Sequence, residues 1–179
     1  MFSSDQSLLL IIDVQGKLAS LVHDKEKIIK NIQTLIETAR VLEIPIILTE
    51  QVPEKIGRTI PEISQKLENI PPIVKMSFSC AATPSFNQRL ASLKRHQLII
   101  TGIEAHVCVY QTTADLIKQK FLVEVVADAV SSRTLENKTF ALDKIKTLGA
   151  GLTSTEMIIT ELLKSAAHEK FREVLKLLK

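Results

Sequence analysis

The sequence is poor in several things that would have pointed elsewhere. It holds only two cysteines, Cys80 and Cys108, among 179 residues. Two cysteines do not build a disulfide framework, and neither sits in a C-x-x-C pair, so no zinc site is indicated. The four histidines (His23, His96, His106 and His168) are scattered, and none pairs at i+2 or i+4 with another ligand, so no metal ligand set is assigned. No G-x-G-x-x-G or G-x-x-x-x-G-K-[ST] pattern occurs, so neither a dinucleotide nor a nucleoside triphosphate has a motif behind it, and no cofactor is expected. The formal charge is only +3, and no basic block is interleaved with the few aromatics. That pattern argues against a nucleic-acid surface. The N-terminal stretch "MFSSDQSLLLIIDV" has no positively charged lead and no A-x-A-like cleavage site. Its apolar part runs only from Leu8 to Ile12, too short to cross a bilayer. The expectation is a chain without a membrane partner in a reducing cytoplasm, where a cysteine is free to be a thiol.

What remains is a globular composition, 45% hydrophobic and 24% charged. The length suits one domain over residues 1–179. Short apolar runs alternate with segments of helical spacing. The runs predict strands over 8–13, 44–49, 72–75, 97–101, 122–127 and 150–154. The spaced segments predict helices over 25–42, 84–94, 107–119, 135–148, 155–165 and 168–178. Strands this continuously apolar, alternating with helices, predict a parallel sheet covered on both faces, a three-layer α/β/α architecture. The last predicted helix carries Phe171, Val174, Leu175 and Leu178 as one apolar stripe, which must cover the sheet or a second subunit. The stretch 49–67 breaks the rhythm with Pro53, Gly57 and Pro61, and reads as a long connection shaping a pocket at the sheet's edge.

Three residues stand where such a sheet exposes its ligand crevice, at the C-terminal ends of strands. Asp13 closes "LLLIIDVQ", as a general base or as the cap of a turn. Lys75 closes "PPIVKMSFS", as a crevice ammonium or a solvated strand end. Cys108 stands near the amino end of the helix after the fourth strand. Unpaired N–H groups and a nearby lysine there favour a thiolate, whereas a small buried hydrophobe is the plainer reading. If strands one, three and four are neighbours, the three side chains converge on one rim as an acid/base, a cation and a thiol. Cys80, in "SFSC", reads as a bystander.

The segments "LLLIIDVQ", "VKMSFS", "ITGIEAHVCVYQTTADL" and "VVADAVSSR" resemble, in order and spacing, the isochorismatase-like cysteine hydrolases. "TEQVPEKIGRTIPEI" and "GIEAHVCV" resemble the branch called isochorismatase domain-containing proteins. The resemblance implies a Rossmann-like parallel fold and an Asp–Lys–Cys triad at Asp13, Lys75 and Cys108. It also implies a cis peptide between Ile103 and Glu104, turning the Glu104 N–H to form an oxyanion hole with the Cys108 N–H. Nicotinamidases of that superfamily carry an Asp-x-His metal motif where this chain reads "LTEQVPE", so metal-anchored chemistry is not expected. Isochorismatase proper lacks the cysteine, so Cys108 favours covalent chemistry on a C–N bond over vinyl-ether cleavage. The implied activity is metal-independent hydrolysis of a small amide or carbamoyl-type molecule through a thioester, by a homo-oligomer. Gln15, Gln51 and Phe78, which follow the first, second and third strands, are expected to line the substrate pocket. The rival from another class is a non-catalytic interaction protein that keeps the fold.

Overall fold

The first strand, β1 (Ser7–Ile12), is buried at all six positions because both of its faces are covered. Side chains alternate across a strand. Leu9 and Ile11 join one apolar cluster, and Leu8, Leu10 and Ile12 join another on the opposite face. A strand that must satisfy two cores has no solvent face to carry polar residues, hence the unbroken "LLLII".

The computed structural model describes residues 1–178. The remaining strands are β2 (Ile46–Gln51), β3 (Ile73–Lys75), β4 (Gln97–Ile103), β5 (Leu122–Ser131) and β6 (Gly151–Thr153). All pair in parallel, in the order β3-β2-β1-β4-β5-β6. The helices are α1 (Gly16–Leu21), α2 (Lys25–Val41), α3 (Pro53–Ile56), α4 (Pro61–Ser64), α5 (Pro84–Leu93), α6 (Tyr110–Lys118), α7 (Leu135–Thr147), α8 (Thr155–Leu163) and α9 (Phe171–Leu175). Helices α1, α2, α8 and α9 contribute to the first cluster, and α5, α6 and α7 to the second. The three-layer α/β/α arrangement is therefore as expected. Among the described residues, no helix is long and apolar enough to cross a membrane.

Two features of the sheet place the functional residues. The order reverses between β1 and β4, and the crevice beyond the C-terminal ends of strands at such a point is where ligands enter open α/β sheets. At Gly102, opposite Ile12 in the register, φ is +136°, and a Cβ would collide with the Ile12 backbone. Only glycine lets β4 run this close to the strand end that carries Asp13.

Three expectations need correction. The third strand is not a neighbour of the first, because β2 lies between them. The helix expected over 168–178 is only the short α9 followed by a 3-10 turn at Lys176–Leu178. Its Val174 is buried and Phe171 and Leu178 pack beside it, so the stripe closes largely on α2 of the same chain, while Leu175 faces solvent. Finally, there is no cis peptide among the described residues; Glu104 instead turns the chain in the left-handed region at φ 55°. A left-handed non-glycine residue costs about 1–3 kcal/mol, less than the ~3–4 kcal/mol of a non-proline cis bond, so the turn is made more cheaply this way.

Candidate active site

Asp13 follows β1 directly, in the left-handed region at φ 53°, and is 3% exposed. A buried carboxylate needs partners on both oxygens. Thr49 Oγ1 donates to Oδ1 at 2.7 Å, and Lys75 Nζ lies 2.6 Å from Oδ2. Lys75 ends β3 in register with Gln51, so its four-carbon stem must reach past β2 to Asp13. It does so with its side chain wholly buried. The ammonium also donates to Gln51 Oε1 at 2.7 Å and faces the Ser77 and Phe78 carbonyls, each at 3.1 Å. Its three protons thus meet only acceptors, and the loop after β3 is wrapped around them.

Cys108 belongs to a π-helical turn, Ala105–Val109, that leads into α6. Its Sγ lies 3.6 Å from Gln51 Oε1, the oxygen that also receives the Lys75 proton. Gln51 is fixed at its other end by donating from Nε2 to the Met76 carbonyl at 3.0 Å. Burial, the negative charge of Asp13 and a hydrogen bond with it push the Cys108 thiol far above the ordinary thiol range, with Lys75 offsetting only part of this. The sequence-based expectation of a favoured thiolate is therefore corrected. The helix start and the lysine do not outweigh desolvation, because Lys75 is committed to Asp13.

Asp13, Gln51, Phe78, Glu104 and Cys108 all line one cavity of about 360 Å³. Lys75 lies behind that wall rather than on it. The rest of the lining is mostly apolar, from Leu18, Val52, Ile56, Ile103 and Val107, with Lys55 as the remaining charge. A cavity of this size and character suits a small, largely apolar molecule. Phe78 is half exposed at the mouth. Gln15, expected on the wall, is not there. It is fully buried, and its amide is spent on backbone. Oε1 accepts from the Gln51 N–H at 2.6 Å, and Nε2 donates to the Gln51 and Gly57 carbonyls at 3.1 and 2.6 Å. It holds Gln51 and the 53–57 segment in place instead. Cys80 is also off the wall; it is fully buried, 3.9 Å from Thr49 Oγ1, and burial followed by the charge of Asp13 pushes its thiol up to about 11. His106 stands in the π-helical turn that carries Cys108, with Nδ1 2.9 Å from Ser132 Oγ.

Sequence pattern alone does not single out Thr49, nor the apolar wall residues of α1 and α3. The signal that points to Thr49 is its place in "TEQ". Three consecutive polar residues at the rim end of a buried strand are costly unless each is bonded, and here each is. Thr49 serves Asp13, Glu50 accepts from the Thr59 N–H and hydroxyl at 2.7 and 2.8 Å, and Gln51 serves Lys75.

Comparison with known proteins gives the family. The family model described as "Isochorismatase domain" matches residues 7–157. The chain belongs to the isochorismatase family. Among curated isochorismatase relatives, it is 38% identical to isochorismatase domain-containing protein 2 of Danio rerio, over 98% of this chain and 88% of that one. Among solved structures, one described as MAR1 ribonuclease of Caenorhabditis elegans superposes with a TM-score of 0.93 at 41% identity, covering 99% of this chain and 91% of that one. YcaC of Pseudomonas aeruginosa superposes with a TM-score of 0.91 at 25% identity, over 98% of this chain and 90% of that one. Isochorismatase-family membership places the chain in a superfamily of hydrolases and leaves the substrate to be argued from the site.

Proposed function

We propose that this protein is a metal-independent cysteine hydrolase that cleaves the C–N bond of a small amide or carbamoyl-type molecule. The observation that carries the reading is the opening of the Cys108 thiol into an apolar cavity beside a carboxylate already bound by Lys75 and Thr49. As Cys108 Sγ attacks the carbonyl carbon, its proton passes to Asp13. Asp13 Oδ1 accepts from Thr49, while Oδ2 is paired with Lys75 by charge and accepts no hydrogen bond, so it has a lone pair for that proton. A thiol held this far above its usual range does not wait as a thiolate, so attack and deprotonation are coupled. The oxyanion is met by the Cys108 N–H, since without a cis peptide the expected turn of the Glu104 N–H is lost; one such donor is typically worth about 3 kcal/mol in the transition state. Collapse breaks the C–N bond, and Asp13 returns the proton to the leaving amine. Water then attacks the thioester, giving its proton to Asp13, and the released sulfur takes that proton back. Lys75 and Gln51 position the pair, and Phe78 with the apolar wall receives the substrate body.

The YcaC structure from P. aeruginosa is described as containing covalent acrylamide, a vinyl electrophile, which supports a reactive nucleophile in this fold without bearing on C–N cleavage. A second reading comes from the C. elegans structure, which is described as a ribonuclease. The apolar cavity favours the small substrate. A homo-oligomer is part of the proposal, in keeping with Met76, Phe78 and Phe140, large apolar side chains that are more than half exposed.

An amide, ester and carbamoyl library, run beside a labelled RNA, tests these readings. The expected result is turnover of a small amide that disappears in Cys108→Ala and Cys108→Ser while both variants stay folded. Turnover at the wild-type rate in Cys108→Ala ends the nucleophile assignment. RNA cleavage that depends on Cys108, without amide turnover, selects the second reading. The absence of any turnover or covalent adduct by intact mass selects a non-catalytic interaction protein.

A further inference from the structure

We infer that the substrate carries a carboxylate, held by Lys55 across an apolar spacer from the reacting carbonyl. This deepens the hydrolase reading by giving its substrate a charge, and it rests on that reading only for the identity of the reacting end.

The inference comes from a charge balance around the cavity. Three charged side chains line it, Asp13, Lys55 and Glu104. Asp13 is matched by Lys75 at 2.6 Å. Glu104 faces Arg133 Nε at 3.3 Å and His106 Nε2 at 3.9 Å. Lys55 differs: among the described residues, no acidic group forms an ion pair with it. The wall therefore presents two neutralised anions and one uncompensated cation, flanked by Val52 and Ile56. An anion with an apolar body matches both properties at once.

A lysine on a mobile loop would carry little weight, but α3 is fixed at both ends. The Val52 N–H donates to the Lys75 carbonyl at 3.1 Å. Gln15 holds the Gly57 carbonyl at 2.6 Å, and the Gly16 N–H holds that of Arg58 at 3.0 Å. Glu50 holds Thr59 by two bonds, and the Ile60 N–H donates to the Val14 carbonyl at 3.0 Å. Gly16 and Gly57 are in close approach, and a Cβ on Gly16 would collide with the Ile56 carbonyl. The same bonds that fix the surroundings of Asp13 and Gln51 thus fix the backbone of Lys55, which lines the cavity. The stem of Lys55 is also a piece of apolar wall, and a useful test must separate stem from charge.

Lys55→Met keeps the stem and removes the charge. The first measurement is the rate of Cys108 alkylation by iodoacetate and by iodoacetamide, each divided by the rate with free cysteine. For an exposed cation the expected preference for the anionic reagent is about three- to tenfold. It should vanish in Lys55→Met, survive in Lys55→Arg, and weaken at high salt. The second measurement needs no reactive thiol. In Cys108→Ser protein, thermal stabilisation by hexanoate is compared with that by hexanamide. Hexanoate should stabilise more, and the difference should disappear when Lys55→Met is added. Equal responses to hexanoate and hexanamide in the Lys55 protein, or a preference untouched by Lys55→Met, overturn the inference. A Cys108 that alkylates no faster than Cys80, with the hexanoate preference intact, counts instead against the nucleophile reading and leaves the anion site standing.

Discussion

Replacing Lys75 should be far more costly than replacing any other lysine of the chain, and the loss should be strongly non-additive with that of replacing Asp13. The Lys75 side chain has no exposed surface and that of Asp13 has 5%, and the two charges lie 2.6 Å apart. Removing one partner of such a pair strands the other in a low-dielectric site, at about 3–5 kcal/mol. For a chain of this length, each kcal/mol lowers the melting temperature by about 2–4 °C. Lys75→Met should therefore melt roughly 6–20 °C below the wild type, and Asp13→Asn should be of comparable size. In the double variant no charge is left unpaired, and the amide oxygen introduced by Asp13→Asn still accepts from the Thr49 hydroxyl. The coupling from a double-mutant cycle should be at least about 2 kcal/mol, well above the ~0.5 kcal/mol within which independent sites add. Urea unfolding monitored by circular dichroism at pH 7 provides all four stabilities. Additive losses, or a Lys75→Met variant as stable as the wild type, would refute a buried ion pair at the heart of the site.

Two further outcomes follow from the same structure. Burial raises Cys80 from 9.0 to about 11, and raises Cys108 in the same direction. The unfolded thiols lose their protons first, so this stability is fully present below about pH 9 and is lost as pH rises toward 11. Between those values each thiol should reduce the folding constant by up to about tenfold per pH unit, and Cys80→Ala should flatten the slope of stability against pH; an unchanged slope contradicts the burial of Cys80. Gly16→Ala places a methyl group against the Ile56 carbonyl at φ 47°. It should displace α3 and weaken the binding of cavity ligands, whereas Gly149→Ala, which meets no neighbouring atom, should leave ligand binding unchanged. Isothermal titration with hexanoate compares the two.

The sheet is legible in the sequence because its strands satisfy two cores at once, which leaves a run such as "LLLII" no polar position. The three candidate residues are legible because parallel strands expose their C-terminal ends on one side, and Asp13, Lys75 and Cys108 each stand at or just after such an end. What the pattern does not carry is order across the sheet. Nothing local says that β2 separates β1 from β3, so the span of the Lys75 side chain and the bridging role of Gln51 are invisible there. Short helices such as α3 escape for a related reason: four residues give no periodicity, and α3 is held by Gln15, Gly16 and Glu50 rather than by its own stripe. Gln15 is misplaced by pattern because a strand-end amide looks the same whether it meets a ligand or a neighbouring backbone. The thiol's state is misjudged because a helix start is visible in sequence, whereas the burial that outweighs it is not.

The central claim is that Cys108, and not Cys80, faces the cavity beside the Asp13–Lys75 pair and reacts there. Peptide mapping by mass spectrometry during iodoacetamide treatment of the folded protein at pH 7 tests it most directly. Modification of Cys108 well before Cys80 is the expected result. Equal, slow labelling of both thiols, or earlier labelling of Cys80, would contradict the account.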